Sequence, residues 1–436
     1  MGMQLLLKRH FYILTFIVLL SALSQVIQAQ DIKTDTLRLS IPQAEKLFLQ
    51  NSLALLSAKY NIDANKALIE QAKLWDNPVL ITDQSVYDGK FFRYKTQDGQ
   101  QYGQVFIQVQ QLIRTAGKRT KLAQLATDNT TIAQQQFEDI LRSLRYTLQS
   151  DFIETAHLLK IKNVYDAEIS EVEKTVAAMN EVYKLGDISL KENMRLKALL
   201  FSLQNELVNI NTQLIPLQGE IKLLLQSTDS SFIQPVLTYH LPDLIKTSLP
   251  TIDSLVNLAN TNRPDVQIAK TQLSFQQHNL VYQKALAKPD ITVAPEFDRL
   301  SSYQPNYVGV TVSMPLNLFN KNQGNIKSSQ FSIKQQEVQL NYQTDKIRNE
   351  VTTTFQKIKY YQGINNQQQL SFSESYQNLY ENVLKSYKAR QISLLDFTDF
   401  LDSYKDTRLK LIEQHIGLVK SMAELNYVTN QPITIL

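Results

Sequence analysis

The chain has 436 residues, no cysteine, and 45 Lys plus Arg against 41 Asp plus Glu, a formal charge of +4. The missing cysteine excludes disulfides, thiolate metal sites and a lipid-bearing N-terminal cysteine, and the small net charge argues against a nucleic-acid partner. Only 11 glycines, set among abundant Leu, Gln, Lys, Ser and Asn, make long helix the dominant expectation.

At the N-terminus Lys8 and Arg9 precede an apolar run from Phe11 to Leu23, and small and polar residues follow as far as Ala29. The pattern predicts a secretory signal peptide over 1–29, cut after Ala29, with an apolar stretch too short to span a bilayer. Loss of Lys8 and Arg9 brings the mature chain nearer neutrality. No later stretch holds 18 uninterrupted apolar residues, so membrane insertion would have to use β-strands.

The remainder reads as two copies of one plan. YKLGDISL at 183–190 and YKARQISL at 387–394 share five of eight residues at an offset of 204. Upstream the offset becomes 211, with Asn51 over Asn262, Ala58 over Ala269, Lys73 over Lys284 and Pro78 over Pro289. These offsets divide the chain into a first repeat, 30–226, a linker, 227–250, and a second repeat, 251–436.

In chain order the first repeat predicts a helix over 41–75 and a β-hairpin within 77–113, with strands at 79–87 and 103–113. A long helix over 117–183, a turn at Gly186 and a return helix over 190–214 follow, the last broken by Pro216 and Gly219. Pro235, Pro242 and Pro250 mark the linker as holding at most short elements. The second repeat predicts a helix over 252–287, a hairpin within 289–318 with strands at 291–297 and 307–316, a long helix over 324–387, a turn at Arg390 and a helix over 394–427. Val308, Val310, Val312 and Met314 alternate with Tyr307, Gly309, Thr311 and Ser313, giving one apolar and one wet face. Each long helix would span roughly 100 Å. Phe137, Leu141, Leu144, Leu148, Phe152, Thr155 and Leu159 form a seam suited to lateral helix packing.

Four membrane-length strands cannot close a barrel alone, because open edges are not tolerated in lipid. Two copies would fill an eight-stranded barrel with side chains, whereas three give twelve strands and room for a channel. Tyr87, Phe91, Phe92, Tyr94, Tyr102, Tyr303 and Tyr307 cluster around the strands, as an aromatic girdle would.

In this order of elements, and in the tip sequences YKLGDISL and YKARQISLLDF, the mature chain resembles the TolC-type outer-membrane efflux proteins over essentially its whole length. The resemblance implies a mainly α fold with a transmembrane β-barrel. Long α-helical hairpins would form a periplasmic α-barrel, and four strands per chain would complete a 12-stranded barrel in a homotrimer. It also implies a periplasmic adaptor (membrane fusion protein), an inner-membrane pump of RND type, and a location in the outer membrane against its lipid. TAGKR at 115–119 and FNKNQGNI at 319–326 are similar to junctions of the branch that exports cobalt, zinc and cadmium. Read from the residues alone, glycine there permits a sharp strand-to-helix bend, and Lys118, Arg119 and Lys321 would face anionic headgroups or neighbouring chains. No dedicated metal or cofactor site is expected, since cationic side chains repel metal ions.

By the same resemblance Tyr183, Gly186, Ile188, Ser189 and Leu190, with Tyr387, Arg390, Ile392, Ser393 and Leu394, are adaptor-docking tips. Arg390 stands where the family has glycine, and Ile392 where it often has a closing arginine; whether Arg390 takes that role, facing Glu192, is left open. Asp396 and Asp399, three apart on one helix face, match the family's acidic pore constriction. In three copies they would bring six carboxylates together and favour cations. A structural reading stands beside this one, with Gly186 simply allowing a left-handed turn and the carboxylates simply solvated.

An enzyme is not expected, because His157, His240, His278 and His415 are widely separated and no HExxH, GxSxG or phosphate-loop motif is present. The alternative function is a periplasmic coiled-coil adaptor or structural spacer without a pore, which would not need two matched hairpins of membrane length.

Overall fold

The computed structural model describes residues 35–434 apart from 88, 93, 95–101 and 187, so the signal-peptide expectation lies outside the described residues. The elements run β1 (Thr36–Ser40), α1 (Ile41–Asn51), α2 (Leu53–Lys73), β2 (Val79–Gln84), β3 (Val105–Ile113), α3 (Lys118–Lys184), α4 (Leu190–Leu225) and β4 (Phe232–Val236). They continue with α5 (Leu241–Lys246), α6 (Ile252–Asn262), α7 (Pro264–Leu286), β5 (Ile291–Asp298), β6 (Tyr307–Ser313), α8 (Gln323–Ile364), α9 (Gln367–Lys388) and α10 (Leu394–Thr429).

Three helices expected to be continuous are each interrupted once, for a local reason. At Ser52 the backbone turns extended and the hydroxyl accepts from the Leu55 N–H, ending α1 and capping α2. At Arg263 the following Pro264 disfavours helical backbone, which separates α6 from α7. Asn365 donates from its side chain to the Tyr361 and Gln414 carbonyls, while Asn366 caps α9 through the Gln369 N–H at 3.0 Å. The opposite correction applies to the first return helix. It does not break at Pro216 or Gly219 but runs on as α4 to Leu225 and stops at Gln226, which is left-handed with φ 52°. Pro216 faces outward, where the carbonyl that loses its partner can turn to water, while Leu214, Gln218, Ile221 and Leu225 hold the inner face.

Within the linker, 227–250, lie two short elements, β4 and α5. β1 and β4 form a parallel pair, Thr36 to Ser40 against Phe232 to Val236. The buried Gln218 amide donates to the Ile233 carbonyl at 2.9 Å and accepts from its N–H at 2.8 Å, pinning β4 to α4.

The helices form a slab. At one end α2 packs on α3, α3 on α7 and α7 on α8; at the other, α4 packs on α3, α3 on α10 and α10 on α9. Three apolar clusters fill it, the largest centred on Ile153, Ile347, Val351, Leu418 and Met422. Gly417 on α10 lets the Tyr361 ring of α8 lie directly on the backbone, and a Cβ there would collide with it. Gly417→Ala should therefore lower stability by about 1–3 kcal/mol, read as a reduced urea midpoint; an unchanged midpoint would show that Tyr361 is free to move.

The four hairpin strands make one antiparallel sheet in the order β2-β3-β5-β6. Register puts Leu80 and Val109, and Ile107, Phe297 and Val308, on one face. The other face carries Asp83, Gln108, Glu296, Asp298 and Thr311. There the Gln108 amide donates to Glu296 at 2.5 Å and the Gln104 amide to Asp298 at 2.8 Å. Pairing between β3 and β5 lapses opposite Pro295, which has no N–H to give. No helix among the described residues is long and apolar enough to cross a membrane.

Candidate tip and pore constriction

The two tips are built by the same backbone device. α3 ends at Leu185, and Gly186 takes φ +83° while its N–H donates to the Tyr183 carbonyl at 2.9 Å. α9 ends at Ala389, and Arg390 takes φ +59° with the corresponding bond to Tyr387, also 2.9 Å. Arg390 thus reproduces the glycine turn, and its Cβ makes that conformation costlier by about 1 kcal/mol. Each return helix then starts on a serine cap. Ser189 accepts from the Glu192 N–H at 3.2 Å and Ser393 from the Asp396 N–H at 3.1 Å.

Those caps take up two residues considered for other roles. The Glu192 carboxylate accepts from the Ser189 N–H and hydroxyl, at 3.0 and 3.1 Å. Asp396 accepts from the Ser393 hydroxyl at 2.7 Å. Asp399 lies one turn further along α10, 3.6 Å from Arg195 of α4. Both aspartates are exposed, and with Asp402 and Asp406 they form one carboxylate stripe, opposite the buried Phe397 and Leu401. Lys405 approaches Asp402 and Asp406 at 3.5 and 3.7 Å. Arg195 and Lys405 offset only part of the charge of four carboxylates, so the stripe keeps a net negative formal charge.

The expected docking residues divide by exposure. Tyr183, Gly186, Ser189, Leu190, Arg390 and Ser393 are exposed, and Ile188, Ile392 and Leu394 are half-buried. Tyr387 is buried, its ring stacked on Phe397 at 4.2 Å; it sets the tip's shape and presents no surface. Leu185 and Leu395 add exposed apolar area that the motif comparison passed over. An aromatic ladder continues the α9–α10 contact, with Tyr380 on Tyr404 at 4.2 Å and Phe372 on Tyr376 at 5.2 Å.

One charged residue of this region escaped sequence reasoning altogether. Glu168 on α3 is 2 % exposed, and neither carboxyl oxygen has a hydrogen-bond partner. Burial pushes its pKa up to about 8; Lys405 pulls it down, while Asp402 and Asp406 push it further up. Its spacing from Tyr165, Val172 and Thr175, all buried on the same helix, is the signal that could have found it. Nearer the tip the opposite happens: ion pairs with Lys174 and Lys388 hold Glu171 below the usual carboxylate range. The Lys388 pair, at 2.9 Å, ties the two hairpins together.

At the sheet end the junction cations sit differently from expectation. Lys118 faces neither headgroups nor another chain: it is 4 % exposed and donates at 2.7 Å to Asp290 and to the Lys288 carbonyl. Arg119 stacks over Trp75 at 4.0 Å. Lys321 is exposed. Of the expected girdle residues, Tyr87, Phe91, Phe92 and Tyr303 are exposed, whereas Tyr94 donates to the Ser85 carbonyl at 2.9 Å. No group of three His, Asp or Glu side chains suited to a metal ion occurs among the described residues.

No protein-family model matches the sequence, and no curated protein matches it either. Solved structures do share the architecture. A membrane protein from Pseudomonas aeruginosa superposes with a TM-score of 0.70 at 12% identity, covering 93% of this chain and 96% of that one. The outer membrane protein VceC from Vibrio cholerae gives 0.70 at 16% identity, over 90% of this chain and 96% of that chain. The CmeC outer membrane channel of Campylobacter jejuni gives 0.68 at 12% identity, over 89% and 85%. At such identities the likeness is one of fold, and the fold shared with these outer-membrane channels is one of long helices joined to a four-stranded antiparallel sheet.

Proposed function

We propose that the chain is the outer-membrane exit duct of a tripartite efflux system, passively conducting its cargo outward from the periplasm. In this reading it works as a homotrimer with a periplasmic adaptor of the membrane-fusion type and an inner-membrane RND-type pump. The observation that carries the reading is the pair of complementary open edges. On one side lie the free edge of β2, the stripe Leu53, Leu56, Tyr60 and Leu68 of α2, and the stripe Met194, Phe201, Val208 and Ile215 of α4, all exposed. On the other lie the free edge of β6, Phe331, Val338 and Tyr342 of α8, and Phe372 and Leu379 of α9, also exposed. Unlike edges joined head to tail close a ring, and three copies supply twelve strands around a wet face bearing Glu296 and Asp298. A spacer without a pore has no use for that face.

The finer assignments follow from this reading. The exposed tips dock the adaptor, and Asp396 and Asp399 of three chains form a constriction that favours cations. The two junction motifs and that carboxylate stripe support divalent heavy-metal cations as cargo. The segment 1–29 would direct export, and 30–226, 227–250 and 251–436 would serve as repeat, equatorial linker and repeat.

The test is conductance of the purified protein in planar bilayers, alongside growth of a deletion strain on zinc, cobalt, cadmium, nickel and copper salts and on dyes, detergents and antibiotics. Cation-selective channels are expected, with the double substitution Asp396→Asn and Asp399→Asn lowering cation preference several-fold. Absence of conductance would sink the duct, and unchanged selectivity the constriction. Sensitivity to organic compounds alone would discard the metal cargo.

A further inference from the structure

The segment between β6 and α8 presents an apolar surface that its own chain does not cover. Met314, Leu316, Leu318 and Phe319 are all exposed, Phe319 at 93 %. The segment is nevertheless held in place. The Asn317 amide donates to the Ala287 carbonyl at 2.8 Å, and the Asn322 amide to the Gln283 carbonyl at 2.8 Å and to its side-chain oxygen at 3.0 Å. Asn322 itself is left-handed, with φ +58°. Phe319 is thus a pinned aromatic projecting from its own fold, which is the form an interface anchor takes, because little ordering is left to be done on contact.

Towards the opposite edge, the groove that α2 and α7 form over α3 holds a matching hollow. A cavity of about 510 Å³ opens at the base of β2, lined chiefly by Leu68, Leu74, Trp75, Leu122, Leu125 and Phe275. Leu68, Leu74 and Trp75 of its lining are exposed, and Leu74 and Trp75 immediately precede the free β2 edge. Strand direction brings the two features together. The four strands alternate, so β6 ends at the rim of the sheet where β2 begins. When β6 of one copy lies against β2 of the next, the residues after Ser313 meet the residues before Val79.

We propose that Phe319 of each copy plugs the Leu68–Trp75–Phe275 cavity of a second copy, forming an apolar lock at the periplasmic rim of the barrel. This rests on the ring of copies proposed above and adds the contact that sets its register. A phenylalanine ring fits a hollow of this size and buries a large apolar area there. Arg114, paired with Asp76 at 2.6 Å, closes one wall.

Two properties of the chain make the test clean: it has no cysteine, and Trp75 is its single tryptophan. Phe319→Cys combined with Leu122→Cys, oxidised in the detergent-purified full-length protein, should give covalent dimers and trimers, while either substitution alone should not. Phe319→Ala should shift Trp75 emission to longer wavelength and raise its quenching by acrylamide at least twofold. Light scattering reports the number of chains independently. Three chains with the cross-link and the Trp75 response support the lock. Three chains with neither, or with the Phe319→Cys thiol open to a membrane-soluble maleimide, overturn the lock and leave the ring standing. A single chain overturns the ring and the lock with it.

Discussion

Replacing Arg263 with alanine should cost about 3–5 kcal/mol of folding stability, the range for breaking a buried ion-pair network by removing one partner. Arg263 is 2 % exposed and sits at the break between α6 and α7. Its guanidinium grips Asp265 with two bonds, at 3.1 and 2.7 Å, and reaches Glu350 of α8 at 2.5 Å and the Val428 carbonyl near the end of α10 at 3.3 Å. Arg142 of α3 approaches the same aspartate at 3.8 Å and donates to the Tyr427 carbonyl at 3.2 Å. Five helices therefore meet on one pair of arginines. Burial raises the Asp265 pKa, but the hydrogen bond and charge of Arg263, aided by Arg142, outweigh it and leave the carboxyl below its ordinary value. Alanine would strand Asp265 and Glu350 half-buried with fewer partners, and Arg263→Lys should lose the two-pronged grip and fall between. Unfolding in urea followed by circular dichroism measures the effect. Because a depressed carboxylate loses its stabilisation as pH falls through its folded pKa, the gap between wild type and alanine variant should shrink in acid. A loss below 1 kcal/mol at neutral pH would mean that the network is ornamental to the slab.

Features with a local cause were legible in the sequence. The β6 alternation of valines with Tyr307, Gly309 and Thr311 is a period of two, and the tip turns announce themselves by Gly186 and by serines three residues ahead of Glu192 and Asp396. Features set by distant partners were not. β1 pairs with β4 nearly 200 positions away, so Thr36 to Ser40 carries no local sign of a strand. Lys118 was read as a surface cation because Asp290, its partner, lies in the other repeat. Pro216 was overweighted: a proline lowers helix stability, yet packing of Leu214, Ile221 and Leu225 against the slab outweighs one lost bond. At Glu168 residue type and position disagree: a carboxylate points to solvent, whereas the spacing from Tyr165, Val172 and Thr175 points to the buried face, and the packing decides for the face.

That disagreement carries the second large effect, a loss of stability near the tip as pH rises. In the folded chain Glu168 keeps its proton up to about pH 8, whereas the ordinary value is 4.5. It faces Asp402, Lys405 and Asp406 on α10, Tyr380 on α9 and, along its own helix, Tyr165. The native state thus binds the extra proton between those two values. The contribution of Glu168 to stability is fullest below about pH 4.5, falls through the window by at most about 1.4 kcal/mol per pH unit, and levels off above about pH 8. Asp151, raised by burial to about 6, adds a slope of the same sign, so the pH profile of the wild type alone cannot isolate Glu168. The comparison with Glu168→Gln does. Glutamine keeps the shape and stays uncharged, so the two proteins should unfold at similar urea concentrations at pH 5, separate steadily up to about pH 8 and hold that gap at pH 9, with the glutamine variant the more stable. A constant separation across that range would mean that Lys405 swings from Asp402 and Asp406 onto the Glu168 carboxylate. The tip would then hold a buried ion pair in place of a buried acid.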